Sequence, residues 1–156
     1  MNPIFTLGIQ SLWDEVSHMP TGGVWWINTD RHEDAVSLLN QTLSAQQNDA
    51  KVAVVSMGEN PNDIIEINDN RGPKKISLFT MQNNPDGLYC MHRDLLCTLD
   101  PKDYLVILLC SHNTWGNIPS AKLQHWLNKT QQWAKYHQCT LLILNPGINA
   151  DTQTSL

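Results

Sequence analysis

The chain has 156 residues, 41% of them hydrophobic, enough to bury a core within one domain spanning 1–156. Ten Lys and Arg against fifteen Asp and Glu leave a net charge of −5, and so few scattered cations argue against a nucleic-acid partner. The longest apolar run, Tyr104 to Cys110, is far short of the roughly 20 residues needed to span a bilayer, and the N-terminus Met1-Asn2-Pro3-Ile4-Phe5 carries no signal-peptide pattern, so a soluble cytoplasmic protein is expected.

In chain order, Ile9, Leu12, Trp13, Val16 and Met19 recur at helical spacing and predict an amphipathic helix from about 8 to 19, closed by Pro20 and the Gly22-Gly23 turn. Val24 to Asn28 reads as a short strand. The turn that follows stands where a nucleotide-binding protein would carry its phosphate loop, in which glycines let backbone N–H groups wrap the phosphates and a Lys-Ser/Thr pair adds charge and a magnesium ligand. Here it offers Thr29, Asp30, Arg31, His32, Glu33 and Asp34, without glycine and with three carboxylates that repel phosphate.

Asp30 is placed to cap a helix from about 32 to 47, with Ala35, Leu38, Leu39 and Thr42 as its inner face. Lys51 to Met57 predicts a buried parallel strand. Two weaker strands, Asp63 to Ile67 and Lys75 to Phe79, flank the turn Asn68 to Pro73, and Asn83 to Gly87 forms a second turn before a helix from Leu88 to Leu99. Tyr104 to Cys110 is the strongest strand signal. Ser111 to Asn117 then leads into a helix near Pro119 whose inner face is Leu123, Trp126, Leu127, Thr130, Trp133 and Ala134. Thr140 to Leu144 is the last strand, ended by Pro146-Gly147, and the polar tail 149–156 reads as a flexible end. This alternation predicts an α/β fold, a doubly wound, mostly parallel sheet with helices on both faces and no phosphate loop.

Ligands of such sheets collect at the carboxyl ends of the strands, so Asn28 to Asp34, Cys110 to Gly116 and Asn145 to Asn149 should share one rim. After Leu105-Val106-Ile107-Leu108-Leu109 a nucleotidase would place an acid for magnesium, yet Cys110 and Ser111 follow. Arg31 and Asp34 fit the RxxD pattern with which many cyclic di-GMP inhibitory sites clamp guanine and phosphate. The alternative is a helix start whose acids face the dipole and whose arginine pairs locally. Cys90-His92 and Cys110-His112 offer thiolate and imidazole, but C-x-H pairs do not match closed zinc knuckles, and no metal site is expected. Ser111 and His112 with Asp100 or Asp103 would make a poor triad, because adjacent strand residues point to opposite faces. No catalytic residue is expected. Cys90, Cys97, Cys110 and Cys139 read as reduced thiols, with Cys110 and Cys139 as small buried hydrophobes.

Six tryptophans remain to be placed. Trp13, Trp126 and Trp133 lie on helical faces, and adjacent Trp25 and Trp26 must point to opposite sides of a strand covered on both faces. Trp115, in a rim loop, is the candidate anchor for a partner, with a buried loop residue as the alternative.

The runs Leu7 to Glu15, His18-Met19-Pro20, Gly22 to Trp26, Asp30 to Ala35, Asn40-Gln41-Thr42, Gly87-Leu88-Tyr89, Arg93-Asp94-Leu95, Asp100-Pro101, Asn117-Ile118-Pro119 and Asn145-Pro146-Gly147 together resemble the N-terminal domain of the bacterial cellulose biosynthesis protein BcsE family. The resemblance covers nearly the whole chain. It implies a degenerate RecA-like nucleotidase fold within a longer, cytoplasmic, cyclic di-GMP-responsive protein that promotes cellulose secretion. In that family cyclic di-GMP is bound by later receiver-like and diguanylate-cyclase-like domains, so no cofactor is expected in this part. The resemblance further implies a regulatory scaffold that self-associates as a possible homodimer and docks to other cellulose-secretion subunits, namely the small membrane protein BcsF and the BcsR–BcsQ pair, with recruitment to the inner membrane through them.

Overall fold

The computed structural model describes residues 4–10, 16–20, 23–66, 72–73, 75–111, 114 and 119–146. Along the chain run β1 (Ile4–Gln10), β2 (Val16–Pro20), β3 (Val24–Thr29), α1 (His32–Ala45), β4 (Lys51–Met57), a 3₁₀ turn (Pro61–Asp63), β5 (Ile76–Met81), α2 (Pro85–Thr98), β6 (Tyr104–Leu109), α3 (Ser120–His137) and β7 (Thr140–Pro146). Among the described residues β3 to β7 form one parallel sheet in the order β3-β7-β6-β4-β5. Strands buried on both faces need continuous apolar runs, and Val52-Ala53-Val54-Val55 and Leu105 to Leu109 supply them at the centre.

Alternating side chains divide the interior into two layers. On one face Val52, Val54, Leu105, Ile107, Leu142 and Leu144 pack against Ala35, Leu38, Leu39 and Leu43 of α1. On the other, Ala53, Val55, Val106, Leu108, Leu141 and Ile143 meet Leu88, Met91 and Leu95 of α2 and Trp126 and Leu127 of α3. This doubly wound arrangement, with helices on both faces, is the fold class the sequence predicts. The row Trp25, Leu142, Ile107, Val54, Leu78 runs across the sheet on the α1 side. Among the described residues α1 covers its middle, and Trp25 and Leu78 at the two ends are 37% and 38% exposed.

Several expectations are corrected. In place of a helix over 8–19, β1 and β2 pair antiparallel as a separate two-stranded sheet, with Phe5 opposite Met19 and an irregularity between Thr6 and Gln10. Gly8 and the β-branched Ile9 and Val16 weaken a helix over that span, and Pro20 biases Met19 toward extended backbone. β1 runs beside α1. Trp13 lies outside the described residues.

The strand expected over Asp63 to Ile67 does not form in the described part of that span: Asp63 ends a 3₁₀ turn and residues 64–66 are irregular, while Ile67 lies outside the described residues. Pro61 starts that turn and the Asn60 side chain accepts from the Asn62 N–H at 3.1 Å, so local capping outcompetes strand pairing. Helix α2 begins at Pro85, because Asn84 caps it through the Gly87 N–H at 3.0 Å and turns the expected loop into a first helical turn. Asp30 does not cap α1. The cap position falls on Arg31, which makes no side-chain cap bond, since β3 continues through Thr29 and its hydroxyl donates to the Arg31 carbonyl at 3.0 Å. Pro119 is likewise the N-cap of α3 rather than its first helical residue.

Candidate functional site

The parallel pairing puts the carboxyl ends of β3, β6 and β7 on one rim, as expected. At the β3 end, Asp30 and Arg31 alone separate Thr29 from His32, so the chain enters α1 without a loop long enough to encircle a phosphate. Polar groups there satisfy one another: Asn28 Oδ1 accepts from Trp26 Nε1 at 2.8 Å and from Asn145 Nδ2 at 3.2 Å. Arg31 Nε lies 3.6 Å from Asp34 Oδ2 and 3.9 Å from Glu33 Oε2. The structure thus brings Arg31 and Asp34 together, but against each other, with the arginine side chain 72% exposed.

Chain direction reverses between β4, which hands on to β5, and β6, which hands back to β7, so their carboxyl ends flank the crevice where open α/β sheets take ligands. That crevice is bridged. Buried Thr114, beyond β6, donates to Asn83 Oδ1, beyond β5, at 2.8 Å and accepts from the Ser111 N–H at 2.7 Å. Cys110, where magnesium chemistry would need a carboxylate, is buried in the core and its N–H donates to the Leu144 carbonyl.

Trp115, the expected anchor, and His112, on which the Cys110 pair and the triad depend, lie outside the described residues. Asp100 and Asp103 precede β6 and Ser111 follows it, which sets them about 20 Å apart along a six-residue strand and rules out a triad. None of the four cysteines forms a disulfide; Cys110 and Cys139 are buried, and burial pushes the Cys139 thiol up to about 12. No group of three or more His, Cys, Asp and Glu among the described residues could hold a metal.

His92 instead belongs to the α2–α3 contact. Its ring stacks on Trp126 at 5.8 Å, tilts against Trp133 at 4.9 Å, and its Nε2 lies 3.1 Å from Thr130 Oγ1. Burial, with lesser repulsion from His137 and Lys129, lowers its pKa from 6.5 to about 4. The unfolded chain therefore binds the proton more readily, and the contribution of neutral His92 is complete above pH 6.5 and lost as pH falls toward 4. The expected loss is on the order of 3 kcal/mol. Urea midpoints across this range should fall more steeply for the natural chain than for His92→Phe; parallel slopes would show that His92 titrates freely.

A groove of about 780 Å³ follows the outer side of α1, with Glu59, Ile64 and Glu66 as its second wall. Asn40 builds it: the carboxamide donates to the Ile64 carbonyl at 2.9 Å and accepts from the Glu66 N–H at 2.8 Å, tying an irregular segment to the helix. His32 Nε2 adds a contact of 3.0 Å to Glu59 Oε2 across the mouth. Sequence reasoning missed this groove, because Asn40 on a solvated helical face does not by itself mark the segment it binds. Asn40→Ala should cost about 2 kcal/mol, because it leaves two backbone groups without their partner, and should speed proteolysis within 59–66; an unchanged cleavage rate would mean the wall holds without it.

Comparison with known proteins fits this geometry. The whole chain, residues 1–156, matches the family described as cellulose biosynthesis protein BcsE, N-terminal domain. The chain belongs to this BcsE N-terminal domain family. BcsE relatives include the cyclic di-GMP binding proteins BcsE of Escherichia coli K12, 53% identical over 156 residues, of Salmonella typhimurium 14028s, 51% identical over 156 residues, and of Klebsiella pneumoniae subsp. pneumoniae MGH 78578, 54% identical over 153 residues. The chain is covered at 100%, 100% and 98% respectively and spans about 30% of each relative's length. Among solved structures, the RadB recombinase superposes with a TM-score of 0.61 at 20% identity, covering 88% of this chain and 67% of the recombinase. That likeness concerns the fold alone and agrees with the RecA-like architecture.

Proposed function

We propose that this domain is a non-catalytic regulatory and scaffolding module of a cyclic di-GMP-responsive cellulose biosynthesis protein, acting through protein–protein contacts. One observation carries the reading: two residues link β3 to α1, so the site of nucleotide chemistry in a RecA-like sheet lacks its phosphate cradle. The bridged crevice and the buried Cys110 in place of a metal-binding acid support it. Under this reading the domain needs no cofactor, and its partners are other cellulose-secretion subunits, BcsF, BcsR and BcsQ, through which a cytoplasmic protein is held at the inner membrane. Self-association as a homodimer belongs to the same proposal. Incubation of the purified chain with ATP or GTP and magnesium should release no phosphate above the protein-free blank; release abolished by a substitution at the β3–α1 junction would overturn the reading.

The exposed Arg31 favours a second reading, cyclic di-GMP sensing through Arg31 and Asp34, and the printed name of the relatives includes cyclic di-GMP binding. Titration calorimetry separates the two. Saturable heat with cyclic di-GMP that disappears in Arg31→Ala would make this domain a sensor; absence of heat leaves docking.

A further inference from the structure

We propose that the groove along α1 receives a basic, amphipathic segment of a partner protein, an inference that rests on the docking reading and gives it a surface. The α1 residues lining the groove run from His32 to Ala45, a helix of 14 residues. At 1.5 Å per residue this makes a trough about 20 Å long, the span of about six extended residues or of a short helix, rather than of a single small ion. Its floor includes half-buried Val36 and Ile64, and Glu33, Glu59 and Glu66 stand around it. Among the described residues no lysine or arginine lines it. Arg31, just before α1, is already held by Glu33 and Asp34 at the helix end.

This charge pattern selects the occupant. Carboxylates strung along a trough repel phosphate and do not converge on one point; among the described residues no three ligating groups could hold a metal. A chain that alternates lysine or arginine with apolar side chains matches both features, since apolar stems pack on Val36 and Ile64 while the cations meet the glutamates. The groove also exists before the partner arrives. Asn40 and the His32–Glu59 contact fix both walls, so little ordering cost falls on this side of the interface.

The test uses a short fluorescent peptide alternating lysine and leucine, a counterpart with glutamate for lysine, and two triple variants of equal charge change. Glu33→Gln/Glu59→Gln/Glu66→Gln alters the groove, and Asp49→Asn/Asp86→Asn/Asp94→Asn alters acids elsewhere, with circular dichroism and melting confirming that both fold. The expected result is saturable binding of the lysine peptide, weakened about tenfold or more by the groove variant and little by the other, with no binding of the glutamate peptide. Equal weakening by both variants, or none by the groove variant, would overturn the inference. So would a groove variant whose main effect is a changed sedimentation coefficient of the chain alone, which would assign the groove to a second copy. None of these failures touches the docking reading, whose own failure is nucleotide hydrolysis or cyclic di-GMP heat.

Discussion

Replacing Gly87 with alanine is expected to destabilise the domain by about 3 kcal/mol, at the upper end of what forced overpacking costs. A Cβ at this position would run into the carbonyl oxygen of Gln82 and stand 3.0 Å from its carbonyl carbon and 3.2 Å from its nitrogen. These are backbone atoms at the end of β5, so no side chain can swing aside. The same residue donates its N–H to Asn84 Oδ1 at 3.0 Å and to the Asn84 carbonyl at 3.1 Å, so any shift that relieves the clash also opens the cap of α2. Leu88, the next residue, is fully buried. Urea denaturation should show a lower midpoint at an unchanged slope; a midpoint within error of the natural chain would mean that the β5–α2 connection is plastic.

Trp126→Ala should be more costly still, on the order of 3–5 kcal/mol, as for other buried tryptophans cut to alanine. The ring is 4% exposed, fills the layer between α3 and the sheet, and donates its Nε1–H to the Leu88 carbonyl at 3.4 Å. It also shields His92. Removing it admits water to that imidazole, so the His92 pKa should rise from about 4 toward 6.5. Guanidinium unfolding gives the first effect and the His92 proton resonances over pH 3–8 the second. The gentler Trp126→Leu keeps the layer filled and should move the pKa less; identical titrations in all three chains would show that the tryptophan does not set it.

The sheet was legible because its strands are the chain's continuous apolar runs and its helices carry 3.6-residue apolar stripes. Leu38, Leu39 and Thr42 in α1, and Trp126, Leu127 and Thr130 in α3, are buried as their spacing requires. Misreadings fell where a local preference and a pattern competed. Ile9, Val16 and Met19 mimic a helical stripe, yet they lie on two different strands of a hairpin whose pairing no periodicity reveals. At Asn84 a single side-chain cap converted an expected loop into helical turn, and the turn capped by Asn60 runs into the start of the expected strand at Asp63. Of the candidate site, the local pairing of Arg31 with Asp34 could be read from their i, i+3 spacing at the start of one helix. The groove could not, since its second wall is 14 or more residues beyond the helix that forms its first, and only the tertiary bonds of Asn40 join them.

The position of β3 sets the timing of folding. This early strand finds its sheet neighbour, β7, at the far end of the described chain, where Trp25 aligns with Leu142 and Asn28 touches Asn145 across 117 positions. During synthesis β4, β5 and β6 can assemble as soon as each leaves the ribosome, whereas β3 must wait, its peptide groups unpaired, until β7 has been made. A nascent chain halted before Thr140 thus holds β3, with its two tryptophans, without the sheet neighbour it has in the folded domain.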